Sequence, residues 1–511
     1  MDTVWDAVVI GTGAGGGAAG WMLASSGKKV LFLERGHRLT DPEVMQDEEA
    51  MLIDMKAADQ RPHSFGSVTA SPFTGGIVGG STSLYGACLL RPGSSDFHPG
   101  AYYGSLIDPA IHHWPVDYDE FEPWFTAAED RLKVAGDTTV QVPFLHNRQA
   151  PYPGRPLPLH PFNEKLSDTL TRSGLTPFPL PLGIDSETCK RCASCPGYGC
   201  PIDARASSTR CFISPAITDH DAEIQTGVDI LGIECVNRVI RSMRIRIQHE
   251  EITIRSGVWI LSAGALGSPV FMMEHGLTGS NPHIGRNYMY HLGVLFLAFS
   301  RELTGSGTEF IKQLGITDFY IDPDGHKLGY IQQLPIPGPR TLQAEMPAGM
   351  PMPKPLAAFF IRHAISFAGV IEDLPQPSNR VVEHNGTILI RHQYHTYDIF
   401  RAKRLRKLFG PHFRRTHRIA GGSIIAVNEK RHVAHQVGTC RFGNNERHAV
   451  LDRYCRVHHL DNLFIVDGSF MPSALGVGPA LTIMANGLRV GDYLAGSNRV
   501  DRSHRMERKD G

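Results

Sequence analysis

The 511-residue chain lacks an excess of either charge: 51 Lys and Arg stand against 51 Asp and Glu. That balance gives no long-range pull toward nucleic acid or an anionic membrane surface. Long apolar runs are also lacking, and none reaches the roughly 18 residues that cross a bilayer. No basic segment or cleavage site precedes the apolar run Val4–Ile10, so no signal peptide is expected and the cytoplasm is the expected setting. A reducing compartment disfavours disulfides among the nine cysteines. The absence of a repeat at roughly 20–50 residues excludes solenoids and propellers. What remains is an ordinary globular composition, 41% hydrophobic with 53 glycines and 35 prolines. Its length suits two or three domains around a large core.

The first forty residues carry a nucleotide signature. Ala7–Ile10 reads as a buried parallel strand, followed by Gly11, Gly13 and Gly16 in a GxGxxG turn and then a helical run to Ser26. Lys29–Glu34 is a second strand ending in an acid. Gly11 permits the tight turn, Gly13 lets backbone approach a pyrophosphate, and Gly16 lets the helix pack on the strand. The helix N-terminus offers free N–H groups and partial positive charge to phosphates. Glu34 stands where a carboxylate can accept ribose hydroxyls. The turn alone does not separate NAD from FAD.

Three distant segments do. Gly75–Gly86 reads GGIVGGSTSLYG, His435–Gly443 reads HQVGTCRFG, and Asp467-Gly468 precedes a helical run opening at Pro479. With the opening fingerprint, they resemble the glucose–methanol–choline oxidoreductases, FAD-dependent alcohol oxidases and dehydrogenases. Trp259–Pro269, containing Ala263 and Gly264, is similar to the family's strand and turn near FAD, and Ile284–His291 to its GRNLMDH segment. The resemblance implies that Gly79, Gly80, Ser81 and Gly86 line the diphosphate and flavin. It places the Val228 backbone at adenine, Asp467 and Gly468 at the ribityl chain, and Pro479 at the pyrimidine end. The helix dipole there would favour the negative charge that arrives with hydride. The loop Ser81–Tyr85 lacks the histidine that some relatives attach to flavin, so FAD is expected to be non-covalent.

Oxidising an alcohol requires a base near neutral pKa at the hydroxyl. Among 25 histidines, His435 opens the motif that carries the family's active-site histidine. Most members have a second His or Asn before the C-terminal helix; here that position is Gly478. Either His435 works alone or another side chain supplies the second hydrogen bond, with His291, Tyr85 and Tyr288 as candidates.

Cys189, Cys192, Cys195 and Cys200 follow a C-x2-C-x2-C-x4-C-P pattern, one residue longer than a ferredoxin motif. An iron–sulfur cluster, a zinc site and plain thiols shaping a loop all fit. The segment also resembles a cysteine-rich stretch of bacterial family members that borders the flavin and does not generally carry metal.

The expected fold is α/β: a discontinuous Rossmann-type FAD domain from 1–130, 205–292 and 430–496, and a sheet-based α+β substrate domain over 293–429. Residues 131–204 lie between them, and 497–511 form a disordered tail. The proline-rich stretches 335–339 and 346–355 read as turns or loops over the site. The expected activity is oxidation of a sugar, polyol or other small alcohol, with electrons leaving to oxygen or an acceptor protein. A hydroxynitrile-lyase-like flavoprotein and an electron-transfer flavoprotein holding a cluster are the alternatives.

Overall fold

Val4–Ile10 and Val30–Glu34 are rich in β-branched and aliphatic residues, and Val8, Val9, Val30 and Phe32 are fully buried. Strands covered on both faces belong in a parallel sheet. In the computed structural model the two pair in parallel, at the centre of a seven-stranded sheet. The model describes residues 4–65, 73–144, 148–336, 338–345, 352–415, 424–428 and 434–496. The tail 497–511 lies outside them.

The strand order is Glu223–Thr226, Val30–Glu34, Val4–Ile10, Glu250–Leu261, Val239–Ile247, Val228–Val236, with Leu463–Ile465 adding in parallel to Glu250–Leu261. Sequence reading runs Glu223 to Ile230 as one strand; Gly227, at φ 66°, breaks it in two. Helix Ala14–Ser25 packs on the C-terminal helix Ala480–Ala495. Glycines permit this close approach: a methyl on Gly487 would lie 2.6 Å from the Gly15 carbonyl oxygen. Helices this rich in glycine owe their stability to such packing, not to propensity.

A second sheet is antiparallel, in the order Ile424–Asn428, Leu292–Phe299, Ala364–Ile371, Tyr330–Gln333, Leu314–Ile316, Phe178–Pro179. Leu292–Phe299 alternates, burying Leu292, Val294, Phe296 and Ala298. Phe296 meets Phe409 and Phe413 of the helix Thr396–Arg415 edge-on. Phe178–Pro179, from the segment read as lying between domains, joins this sheet. Arg380–His384 and Thr387–Arg391 instead form a small sheet with His63–Phe65.

The proline-rich stretches are not all loop. Pro339–Glu345 and Lys354–Arg362 are helices, and Pro355 sits in the first turn of the second. Proline is compatible with a first turn because the N–H it lacks would have no intrahelical partner there. Residues 337 and 346–351 fall outside the described residues.

Candidate active site

The glycine turn has the shape its sequence suggests. Gly11 takes φ 95°, and a methyl there would meet the Ser262 carbonyl oxygen at 2.3 Å. Gly16 donates its N–H to Ser262 Oγ at 2.8 Å. Gly13 and Gly264 face open space, with nothing within 4 Å of an added Cβ. Gly80, at φ 54°, would bring a Cβ to 3.1 Å of Gly13 Cα, so the two glycine loops face each other. Thr12 joins them: its hydroxyl accepts from Gly79 N–H at 2.9 Å and donates to Glu34 at 2.6 Å. Glu34 also accepts from the N–H groups of Thr12 and Gly36. Thr226 pairs with Glu34, which brings Val228 to the same end of the sheet. Asp467 is buried, accepting from Gly264 N–H at 3.0 Å, Ser469 N–H at 2.9 Å and the Ser268 hydroxyl. Pro479 caps the helix that starts at Ala480. These open glycines at the ends of parallel strands, with a helix N-terminus beside them, fit an extended dinucleotide.

His435 and His291 meet through strand register. Met289 and Val437 exchange two backbone hydrogen bonds, each 3.0 Å, as an antiparallel pair. Two residues outward along each strand are His291 and His435, which therefore face each other. Their Nδ1 atoms lie 3.0 Å apart and the rings stand edge to face at 85°. His435 adopts φ 65°, a left-handed conformation uncommon for a side-chain-bearing residue.

The network fixes both tautomers. His291 Nε2 lies 2.9 Å from the Leu475 carbonyl oxygen, which can only accept, so that nitrogen carries the hydrogen. Neutral His291 then presents a bare Nδ1, and His435 must donate to it from its own Nδ1. The lone pair of His435 is left on Nε2. Both rings are held neutral: burial pushes His435 well below the usual histidine range, helped by His291 and Lys312, and burial also lowers His291. The nearest atoms to a Cβ at Gly478 would be His435 Cε1 and Nε2, both at 3.7 Å. Gly478 therefore leaves room in front of the basic nitrogen, and the helix start is not crowded there.

Two regions described for GMC oxidoreductase match residues 157–293 and 387–487. The chain belongs to the GMC oxidoreductases. A 6'''-hydroxyparomomycin C oxidase of Streptomyces lividus is 27% identical over 98% of this chain and 93% of its own. The fructose dehydrogenase large subunit of Gluconobacter japonicus is 24% identical, over 96% and 97%. Crystalline pyridoxine 4-oxidase from Mesorbium loti shares the fold at a TM-score of 0.67, with 19% identity over 96% of this chain and 99% of that one.

On this GMC scaffold the candidate partners for His435 separate. Tyr85 donates its hydroxyl to the Ala206 carbonyl. Tyr288 is fully buried beside Tyr290 and His392, its hydroxyl without a hydrogen-bond partner among the described residues. Of the three, His291 is the one that touches His435, and both its nitrogens are engaged.

Sequence reasoning missed what holds Leu475. Its N–H donates to Glu372 Oε1 at 3.0 Å, and Glu372 accepts from Tyr103 at 2.6 Å and Lys327 at 2.7 Å. Lys327 also pairs with Asp96, which accepts from Tyr320 at 2.6 Å. Leu475, itself at φ 64°, is thus pinned at both N–H and C=O, and its carbonyl sets the histidine tautomers. No local motif marks these residues.

The four cysteines are unpaired; Cys192 is exposed and the others half-buried. Among the described residues, no three His, Cys, Asp or Glu side chains are placed to hold a metal ion. The segment braces the glycine-rich loop instead: Gly197 N–H donates to the Leu84 carbonyl at 2.7 Å. Buried Arg205 bridges the carbonyls of Tyr198 and Tyr85 and lies 3.6 Å from Cys195 Sγ.

Proposed function

We propose that the chain is an FAD-dependent oxidoreductase acting on the CH–OH group of a small alcohol, such as a sugar or polyol. The observation that carries this reading is the neutral His435, whose Nε2 has no hydrogen-bond partner among the described residues and faces the room left by Gly478. On this reading FAD is held without a covalent bond. Gly13 lets the backbone approach the pyrophosphate, with Gly11 making the turn and Gly16 seating the helix; Glu34 takes the adenosine ribose and the Val228 backbone the adenine. Gly79, Gly80, Ser81 and Gly86 line the diphosphate and ring, with Ala263 and Gly264 alongside. Asp467 and Gly468 lie at the ribityl chain, and Pro479 at the pyrimidine end. Residues 1–130, 205–292 and 430–496 make the cofactor domain, 293–429 cover the substrate, and 131–204 lie between them. We place the enzyme in the cytoplasm.

FAD, when bound, supplies the two-electron acceptor for hydride from the carbinol carbon. The protein's part is the proton. His435 Nε2 accepts it from the hydroxyl, and the positive charge that forms is shared through Nδ1–H with His291. The Leu475 carbonyl keeps His291 in the tautomer that can accept that hydrogen bond. A neutral imidazole suits the task because it is already deprotonated at neutral pH. Electrons then leave to oxygen or to an acceptor protein; one relative is named an oxidase and another a dehydrogenase.

The test is an anaerobic panel of alcohols mixed with yellow holoprotein and scored by loss of flavin absorbance. At least one sugar or polyol bleaches the flavin if the reading holds. Colour that persists with every alcohol, or a protein that takes up no FAD, contradicts it; persistent colour is what a lyase would give.

A further inference from the structure

Two lysines are buried near the site, and among the described residues only one has a partner. Lys327 lies between Asp96 and Glu372. Lys312 is 5% exposed, and no hydrogen bond or ion pair to it is found among the described residues. An isolated ammonium in such surroundings is expensive to bury, by several kcal/mol in general. Backbone neighbours aim it. Gln313 sends its side chain to Asn163 and the Pro158 carbonyl, and its amide oxygen accepts from His160 N–H. Lys312 points the other way, toward Gly86 in the glycine-rich loop. A methyl on Gly86 would lie 2.5 Å from Lys312 Nζ and 3.4 Å from Pro196 Cβ. Gly86 belongs to the loop read above as lining the diphosphate and flavin ring, so the ammonium lies against that loop; its charge is also among the influences that lower His435. The titratable groups acting on Lys312 itself are the thiols of Cys88 and Cys195, which only partly oppose the effect of burial.

We propose that Lys312 is the second polar group of the active site, its ammonium donating to the substrate's reacting oxygen in place of the side chain that Gly478 lacks. This rests on the alcohol-oxidation reading above. As His435 Nε2 takes the hydroxyl proton, negative charge develops on that oxygen, and a fixed cation beside it is worth most in a dry site. The balance is complete: the O–H proton goes to His435, the hydride goes to FAD, C=O forms, and Lys312 keeps its three protons. The site therefore favours alcohols that are neutral or anionic near the carbinol and disfavours those with an ammonium beside it.

The experiment compares wild-type holoenzyme with Lys312→Met and Lys312→Gln. The first arm is anaerobic flavin reduction by the best alcohol of the panel. The second is calorimetric titration with acetate, a small anion standing in for the developing alkoxide, which needs no turnover. Lys312→Met is expected to slow flavin reduction about 10²-fold, the usual loss for one oxyanion donor, and to weaken acetate binding at least about tenfold while FAD stays bound. Wild-type rates in both variants, or acetate binding unchanged by them, would overturn the proposal. If no alcohol bleaches even the wild type, the alcohol reading fails. The acetate arm then decides whether Lys312 receives an anion at all. Lys312→Gln repeats both arms with a polar, uncharged side chain, so that a packing defect in Lys312→Met cannot decide the outcome.

Discussion

Lys327 and Lys312 sit fifteen positions apart in sequence, are both buried, and do opposite things with their charge. Burial works against the Lys327 ammonium, yet Asp96, Glu372 and Tyr103 hold its pKa above the ordinary lysine value. Glu372 in turn is kept below the usual carboxylate range; burial pushes it up, but Lys327, Tyr103 and Arg401 outweigh that. Every charge there has a partner, and the product is a fixed backbone at Leu475. At Lys312 burial wins and the pKa falls. The titratable groups acting on it are the thiols of Cys88 and Cys195, and its ammonium lies against Gly86. The contrast teaches that a satisfied buried charge positions the chain, whereas an unsatisfied one is kept for something that arrives later.

The comparison breaks if both lysines respond alike to removal. Lys327→Met leaves Asp96 and Glu372 facing each other without their cation. It is expected to destabilise the protein by about 3–5 kcal/mol, measured by urea denaturation of the apoprotein. Lys312→Met removes a charge that has no partner among the described residues, so its urea midpoint should match or exceed the wild type. Equal losses in the two variants would remove the distinction.

Acid sharpens it. In the unfolded chain histidine titrates near 6.5, whereas His435 and His291 titrate lower when buried. As pH falls below about 6.5 the unfolded chain therefore binds more protons, and stability falls through this range; above it both rings are neutral in either state and their contribution is complete. For the same reason flavin reduction should hold level from pH 8 down past about 6.5, with its acid limb lower still. Lys312→Met removes one of the two groups lowering His435 besides burial, the other being His291, so its limb moves to higher pH. A limb at the ordinary histidine value in the wild type would contradict the buried neutral pair. The smallest effect is at Gly478. Gly478→Ala adds a methyl at ordinary contact distance, 3.7 Å, from His435 Cε1 and Nε2. Stability should change by no more than about 0.5 kcal/mol, and reduction of small alcohols by less than bulky ones.

The nucleotide half was legible in sequence because it is a backbone problem. Gly11, Gly13 and Gly16 are placed by strand, turn and helix within one continuous stretch, and each does sterically what its spacing implies. His435 was legible through its motif, and the Gly478 gap through a departure from pattern. The surroundings of His435 were not. His291 meets His435 because of a strand pairing at Met289 and Val437 that joins segments far apart in sequence. Glu372, Leu475 and Lys327 converge from three stretches without a shared signature, and Lys312 is a lone cation between Ile311 and Gln313 in no motif. The helix Lys354–Arg362 was hidden by its prolines, which mark a first turn as readily as a break.

The central claim is that His435 Nε2 takes the substrate proton. Its direct test is rapid anaerobic mixing of alcohol with His435→Ala that retains FAD, followed at the flavin absorbance band. The account predicts a reduction rate about 10²–10⁴-fold below wild type, the usual worth of a general base, with the flavin spectrum before mixing unchanged. A wild-type rate in FAD-loaded His435→Ala would contradict it.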